Sequence, residues 1–560
     1  MVDTNAAGRT YVLQTARGSL TGTEVVDTRT NKPIYRRYTR IRYALPPVGD
    51  RRWRKPEPLP ADWLFSDGNN RPRNYRKFGA ICPQLDTADS LLSGEHCAAT
   101  EDDMSEDCLF LNIWVPAGGE GPAGGWPVQF MYYEFPGGEY ICGHGMQRDF
   151  LDPIDIYREN RDNLRIVVSA NFRVGVFGFL ASEELLQDVK SRHDRYAACG
   201  NFGFWDLRMA LEWTYANIHL FGGNVNNITA GGSGQLTAYQ LHFDAFQPPN
   251  RRIIRRAFLF SGAVAIQPDI AQSEKPRKLF VDLCRRFHID GDLPPEDKVR
   301  LLSGVSAEKL LEFSKTLEVG FRPVTDGQGG FVPIWFMRTI RNGELGRRLK
   351  ELGVQVLIGD SSNEAALHQY LNRKSISNQQ DLRAKLALQY PQDIIDALIP
   401  RYDTQSKDWS LVYSQIKADI ECHSAVRGFA HSLFKGGITA QDVLRYHITW
   451  HSKTLSLHPE LSTTQAQDIA LWWYSGWRTG FSAKDKDDVL NFTRPFARFI
   501  RGDISALFGW GTETESEVRL LAQDGSVVVT QDPVWKEKMG VWNVVRDVQL
   551  RRSSGGVVRR

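Results

Sequence analysis

The 560-residue chain contains no apolar stretch long enough to cross a bilayer, and Met1 to Thr10 carries no apolar h-region. A spanning helix and a secretory leader are therefore not expected, and a cytoplasmic protein with no membrane partner is. An excess of one charge is missing too: 69 Lys and Arg stand against 66 Asp and Glu, a formal net charge of +3, scattered along the chain. Nucleic acid is accordingly not an expected partner. Short Arg-rich stretches (51 to 54, 251 to 256, and the carboxyl end) read as solvated surface. Cysteine is sparse, and its count of seven is odd, which does not suit a fully paired secreted framework. Metal-ligand spacing, a phosphate loop and a dinucleotide fingerprint do not occur in a fitting context, so no cofactor and no metal are expected.

What is present is a large apolar inventory, 42% hydrophobic and 11% aromatic with 15 tryptophans, enough for a big core and an aromatic-lined cavity. Tyr11 to Leu59 alternates apolar and polar residues between Gly and Pro punctuation, predicting an antiparallel entry sheet. Strand-like runs follow at Leu109–Val115, Val128–Tyr133, Ile166–Ala170, Ile228–Ala230, Ala257–Leu259 and Val354–Ile358, with helical patterns between them at Trp205–Ile218 and Thr237–Phe246. Strands alternating with helices predict an α/β fold with a mostly parallel sheet covered on both faces. Residues 270–353 and 378–439 are mainly amphipathic and helical, as insertions roofing that sheet would be. There is no internal repeat. The expected organisation is one domain over residues 10–550 and a flexible Ser-, Gly- and Arg-rich tail at 551–560.

The most informative segment is Ile228-Thr229-Ala230-Gly231-Gly232-Ser233-Gly234-Gln235-Leu236, where a strand should turn sharply into a helix and present a nucleophile. A G-x-S-x-G elbow needs small residues two before and two after its serine, because the turn brings backbone very close. Here Gly231 satisfies the first requirement, and Gln235 stands where the second glycine should be.

Several strings, taken in order, resemble the type-B carboxylesterase and cholinesterase family of α/β-hydrolase proteins, and fungal members above all. They are Pro46-Pro47-Val48-Gly49, Ser105-Glu106-Asp107-Cys108-Leu109-Phe110-Leu111-Asn112, Asn171-Phe172-Arg173-Val174-Gly175-Val176-Phe177-Gly178, Gly200-Asn201-Phe202-Gly203-Phe204-Trp205-Asp206 and Asn217-Ile218-His219-Leu220-Phe221-Gly222-Gly223. The resemblance implies an α/β-hydrolase fold with helical insertions forming a gorge. It also implies a Cys82–Cys108 bridge, against which stands the thiol state of a reducing compartment. It assigns the triad acid to Glu364, in Gly359-Asp360-Ser361-Ser362-Asn363-Glu364. The family's nucleophile falls six residues after the first of its Val/Ile-Thr pair, which from Ile228 is Gly234; a register taken from the helix gives Gln235, and only a one-residue slip gives Ser233. Gln465 stands where the triad histidine would. The oxyanion turn corresponds to Pro136-Gly137-Gly138-Glu139-Tyr140, with a carboxylate in the third glycine's place.

Glutamine cannot take a proton from a serine. The late histidines His447 and His451 are open between a substitute base and a structural role, and His144 between the pocket mouth and a plain loop. Glu139 is either a surface residue or, among Tyr132, Tyr133, Phe135 and Tyr140, a partly desolvated general acid or base. Glu364 is either a buried carboxyl satisfied by Gln465 or a second proton carrier. Trp472, Trp473, Tyr474 and Trp477 are either core or a flank of the gorge. The candidate catalytic set is Glu139, Glu364, Ser233 and Gln465, and the candidate substrate-binding set is Gly138, Tyr140, Gly234, Gln235, Trp472 and Trp473. The expected function is a cofactor-free, non-hydrolytic cyclisation, elimination or isomerisation of a small organic substrate in secondary metabolism. The alternatives are an ester hydrolase using Ser233 and a catalytically inactive binding protein. The oligomeric state is left open.

Overall fold

Ile166-Val167-Val168-Ser169-Ala170 is buried at every position, as a strand covered on both faces has to be. The computed structural model describes residues 6–85, 104–117, 121–133, 152–159, 163–192, 198–318, 320–327, 329–372, 376–405, 407–452, 461, 463–474, 480–503 and 509–555. Within them the strands are β1 (Ala6–Thr15), β2 (Gly18–Asp27), β3 (Pro33–Arg42), β4 (Arg73–Asn74), β5 (Phe110–Pro116), β6 (Trp126–Tyr132), β7 (Ile166–Ala170), β8 (Gly223–Ser233), β9 (Arg256–Phe260), β10 (Gln355–Ser361), β11 (Val443–Ile448), β12 (Glu517–Leu521) and β13 (Val527–Gln531). They form one sheet in the order β1-β2-β3-β5-β7-β6-β8-β9-β10-β11-β12-β13, with β4 beside β2. From β7 to β12 every pairing is parallel. Among β1, β2, β3, β5 and β7 and between β12 and β13 the pairings are antiparallel, and the short β4 pairs with β2 in parallel.

Alternate residues of the parallel strands feed two separate cores. Ile166, Val168 and Ala170, Ala257 and Leu259, and Val356 and Ile358 point into the larger one. The helices Phe202–Asn217, Gly234–Ala245 and Ser424–Lys435 cover it. Val167, Phe258, Phe260 and Leu357 point the other way, against the helices Gln465–Trp472 and Ala483–Arg501. The latter helix starts with a capping box between Ser482 and Asp485 and stops at Gly502, whose φ of 73° suits a residue without a side chain.

A third core joins the roof helices Gln379–Ala387, Gln392–Leu398 and Trp409–Ala418 to Val541, Val545 and Val548 of the last helix, Trp535–Gly555. That helix carries regular structure into the segment 551–560 read as a tail, because its apolar face is docked and Arg552 pairs with Asp393. Cys82 and Cys108 are joined by a disulfide, while Cys199, Cys284 and Cys422 are buried thiols. No described helix is long and apolar enough to cross a membrane.

Candidate active site

The carboxyl ends of parallel strands are where an open α/β sheet presents its chemistry. β8 ends at Ser233 and the helix Gly234–Ala245 starts at once. Ser233 has φ −51° and ψ 122°, and its side chain does not cap the helix. The left-handed backbone of this turn falls instead on Gly232, with φ 142°. A side-chain carbon on Gly231 would collide with the Phe258 carbonyl, one on Gly232 with the Tyr132 carbonyl, and one on Gly234 with the Gly262 carbonyl. All three positions are glycine because the neighbouring backbone occupies the side-chain space. Position 234, six residues after Ile228, is thus closed to a serine side chain. Gln235, half-buried in the first turn of the helix, has its side chain beside Gly262.

The turn that closes it, Ser261-Gly262, has two left-handed residues, φ 42° and 147°. It is held by a hydrogen bond from the Ser261 amide to the Tyr446 hydroxyl (3.3 Å) and by the Cys422 thiol on the Ser261 carbonyl (3.4 Å). The Ala263 amide donates to the Glu421 carbonyl (3.4 Å). Glu421 and Cys422 belong to a π-helical turn, Asp419–His423, inserted between the helices Trp409–Ala418 and Ser424–Lys435. Such turns widen a helix by one residue and recur at functional sites.

Glu364 opens the helix Glu364–Leu371 and is fully buried. The amide of its neighbour Asn363 donates to the Thr463 carbonyl (3.0 Å), so the starts of the helices bearing Glu364 and Gln465 lie together. The Gln465 side chain lies outside the described residues, as do Gly138, Glu139, Tyr140, His144, Phe135 and Trp477. Trp472 and Trp473 are both buried in the second core, Trp472 stacked on Phe260 at 4.3 Å.

Sequence reasoning passed over Asp468, one turn beyond Gln465. Its carboxyl accepts from the Trp472 indole (3.2 Å). Burial pushes it up to about 8, against the smaller opposing effect of that donor. The spacing Gln465 to Asp468 was a readable signal, since residues three apart share a helix face.

His447 faces Asp360 across the β10–β11 pairing, Nδ1 to Oδ1 2.8 Å. His423 meets the other oxygen of Asp360 at 2.6 Å, and Arg427 meets it at 2.7 Å. Arg427 also pairs with Asp532 (2.9 Å), which binds Arg445 in turn. His447 is therefore tied into a buried charge array. His451 lies beyond the end of β11, half-buried. Among the described residues no cluster of three or more His, Cys, Asp or Glu is arranged to hold a metal.

The model of the carboxylesterase family matches residues 9–518. The chain belongs to the carboxylesterase family. It is 32% identical over 549 residues to an uncharacterized esterase/lipase of Schizosaccharomyces pombe, covering 95% of this chain and 96% of that one. A carboxylic ester hydrolase of Gibberella moniliformis is 31% identical over 519 residues, 90% of each chain. Among solved structures, a thermophylic PNB esterase superposes with a TM-score of 0.69 at 20% identity, covering 95% of this chain and 99% of that one. The architecture of this carboxylesterase-family chain is the α/β-hydrolase fold, a large mixed sheet with helices on both faces.

Proposed function

We propose that this carboxylesterase-family chain is a cofactor-free enzyme that moves protons on a small organic molecule, catalysing a cyclisation, elimination or isomerisation without hydrolysis. The observation that carries this reading is the closure of position 234, where the family's nucleophile would fall, by the Gly262 carbonyl. Buried carboxyl groups at the same edge of the sheet, Glu364 and Asp468, supply proton carriers, and Glu139 adds a third in the sequence that follows β6. Orienting a reactive conformer beside one acid or base is adequate chemistry for such steps.

The named relatives favour a second reading, ester hydrolysis by Ser233. A fluorophosphonate probe separates the two. The proposed function expects no labelling, and turnover of organic substrates that falls in Glu139→Gln and Glu364→Gln. Labelling that disappears in Ser233→Ala, together with ester turnover, would replace it with the hydrolase.

A further inference from the structure

Glu421, on the π-helical turn, has its two carboxylate oxygens in different surroundings. Oε1 accepts from the Tyr390 hydroxyl (2.7 Å) and from Arg322 (3.2 Å). Oε2 has no hydrogen-bond partner among the described residues and lies 3.9 Å from Nε2 of His368. His368 stands one turn beyond Glu364 on the helix Glu364–Leu371, and its Nδ1 is buried without a partner as well. The other buried histidines differ: His242 meets Thr339 at 2.9 Å, and His423 and His447 both meet Asp360. His368 and Glu421 are each only 4% exposed, and an unsatisfied polar atom in such a place is costly enough to call for a functional reason. The pair borders the candidate nucleophile turn. The Glu421 carbonyl accepts from the Ala263 amide (3.4 Å) and lies against Gly262, whose own carbonyl closes Gly234.

From this placement we infer that His368 is the general base of the site and that Glu421 is its positioning residue, accepting the Nε2 proton and leaving the Nδ1 lone pair for the substrate. The inference rests on the proton-transfer reading above and deepens it, since it names the group that takes the proton. Tyr390 and Arg322 fix the carboxylate, and the carboxylate in turn fixes the tautomer of the imidazole. At 3.9 Å the contact is longer than a hydrogen bond, and catalytic contacts of this kind tighten once substrate is bound.

An isomerisation is the simplest step this arrangement supports. An acidic C–H of the substrate gives its proton to Nδ1, and the bonding pair stays with the substrate and shifts along it. The imidazolium returns the proton at a second carbon, so no co-reactant is consumed, and the Glu421 carboxylate steadies the imidazolium between the two transfers. At rest the ring is neutral with its lone pair available. Burial first, and then Lys417 on the helix Trp409–Ala418, His423 on the π-helical turn and Arg322, hold it well below the usual histidine range.

Nitrogen NMR of the full chain with isotope-labelled histidine, at neutral pH, reads the tautomer without any substrate; the His368 signals are those missing from His368→Phe. The ring should be neutral with its proton on Nε2. Glu421→Gln removes the carboxylate and should populate the other tautomer. A wild-type proton on Nδ1, or a tautomer that Glu421→Gln leaves unchanged, overturns the pair. With an organic substrate that the wild type turns over, His368→Phe should lower the rate about 100- to 10,000-fold, and an unchanged rate overturns the base. If His368→Phe fails to fold, His368→Gln takes its place in both measurements. A protein that shows the expected tautomer and its response to Glu421→Gln, yet turns over no organic substrate, would remove the proposed function while leaving the Glu421–His368 pair standing.

Discussion

The carbonyl oxygen of Gly262 lies against Gly234, inside the space that the first side-chain carbon of any other residue would need. The contact is backbone on backbone, so a rotamer change cannot relieve it. Gly234→Ser would put a hydroxyl at the family's position for the nucleophile, yet it should not create one. The variant should stay unlabelled by a fluorophosphonate and lose about 1–3 kcal/mol of stability, the usual cost of overpacking. Urea unfolding checks the second point. Labelling of Gly234→Ser would mean that the Ser261-Gly262 turn yields and that the site is one substitution from an esterase.

Asp360 is the hub of a second buried assembly, and its charge holds Arg427, His423 and His447 in place. Burial alone would raise its carboxyl, but Arg427 and His447 outweigh that and hold it well below the usual carboxylate range. Asp360→Asn keeps the shape and removes the charge, leaving Arg427 with Asp532 as its only carboxylate among the described residues. Breaking one side of such a pair costs about 3–5 kcal/mol. Because the folded-state value is depressed, the stabilisation is present above 3.8 and is lost as pH falls through the folded value. Denaturant midpoints should therefore show the wild type losing this advantage in acid and Asp360→Asn starting without it.

Much of the fold was legible in the sequence because its central strands are short, continuous apolar runs: Ile166–Ala170 was read with the bounds it has, and Ala257–Leu259 lies inside β9. β8 runs past the predicted end at Ala230 because Gly231 and Gly232 extend it by pairing with Met131 and Tyr132, which glycine's low strand preference hides. The segments that became β12 and β13 were not read as strands, although Val527-Val528-Val529 is an apolar run as long as Ala257–Leu259. The site was less legible. Gly262 closes Gly234 across a long sequence gap, the π-helical turn is a one-residue change of helical register without a residue signature, and the Asp360 array draws on four distant segments. Glu364 and the Gln465 backbone, placed by resemblance to a family pattern, start adjacent helices, whereas Asp468 was passed over although its spacing of three from Gln465 puts the two on one helix face.

The disulfide between Cys82 and Cys108 closes a loop with a sequence separation of 26. Restricting the unfolded chain by a loop of that size contributes about 3–4 kcal/mol in the chain-entropy model. Reductant should lower the wild-type unfolding midpoint by a corresponding amount. The double variant Cys82→Ala, Cys108→Ala should unfold at the same denaturant concentration with and without reductant, because the remaining described cysteines are buried thiols. A wild-type midpoint indifferent to reductant would mean that the two thiols are not bridged in solution.

Asp468 gives stability a pH slope of the opposite sign to that of Asp360. Its folded-state carboxyl keeps a proton up to about 8, whereas the unfolded chain releases it near 3.8. Between those values the native form holds more protons, so stability falls as pH rises, by about 1.4 kcal/mol for each unit of the interval. Asp468→Asn cannot titrate and loses this slope, while its side-chain oxygen can still accept the Trp472 indole hydrogen bond. Asp326, raised to about 6, and His242, lowered to about 3, are present in both proteins and cancel from the difference. Urea unfolding between about pH 5 and 8 should therefore show Asp468→Asn gaining on the wild type with every unit of pH. Parallel stability curves would mean that Asp468 is ionised in the folded chain.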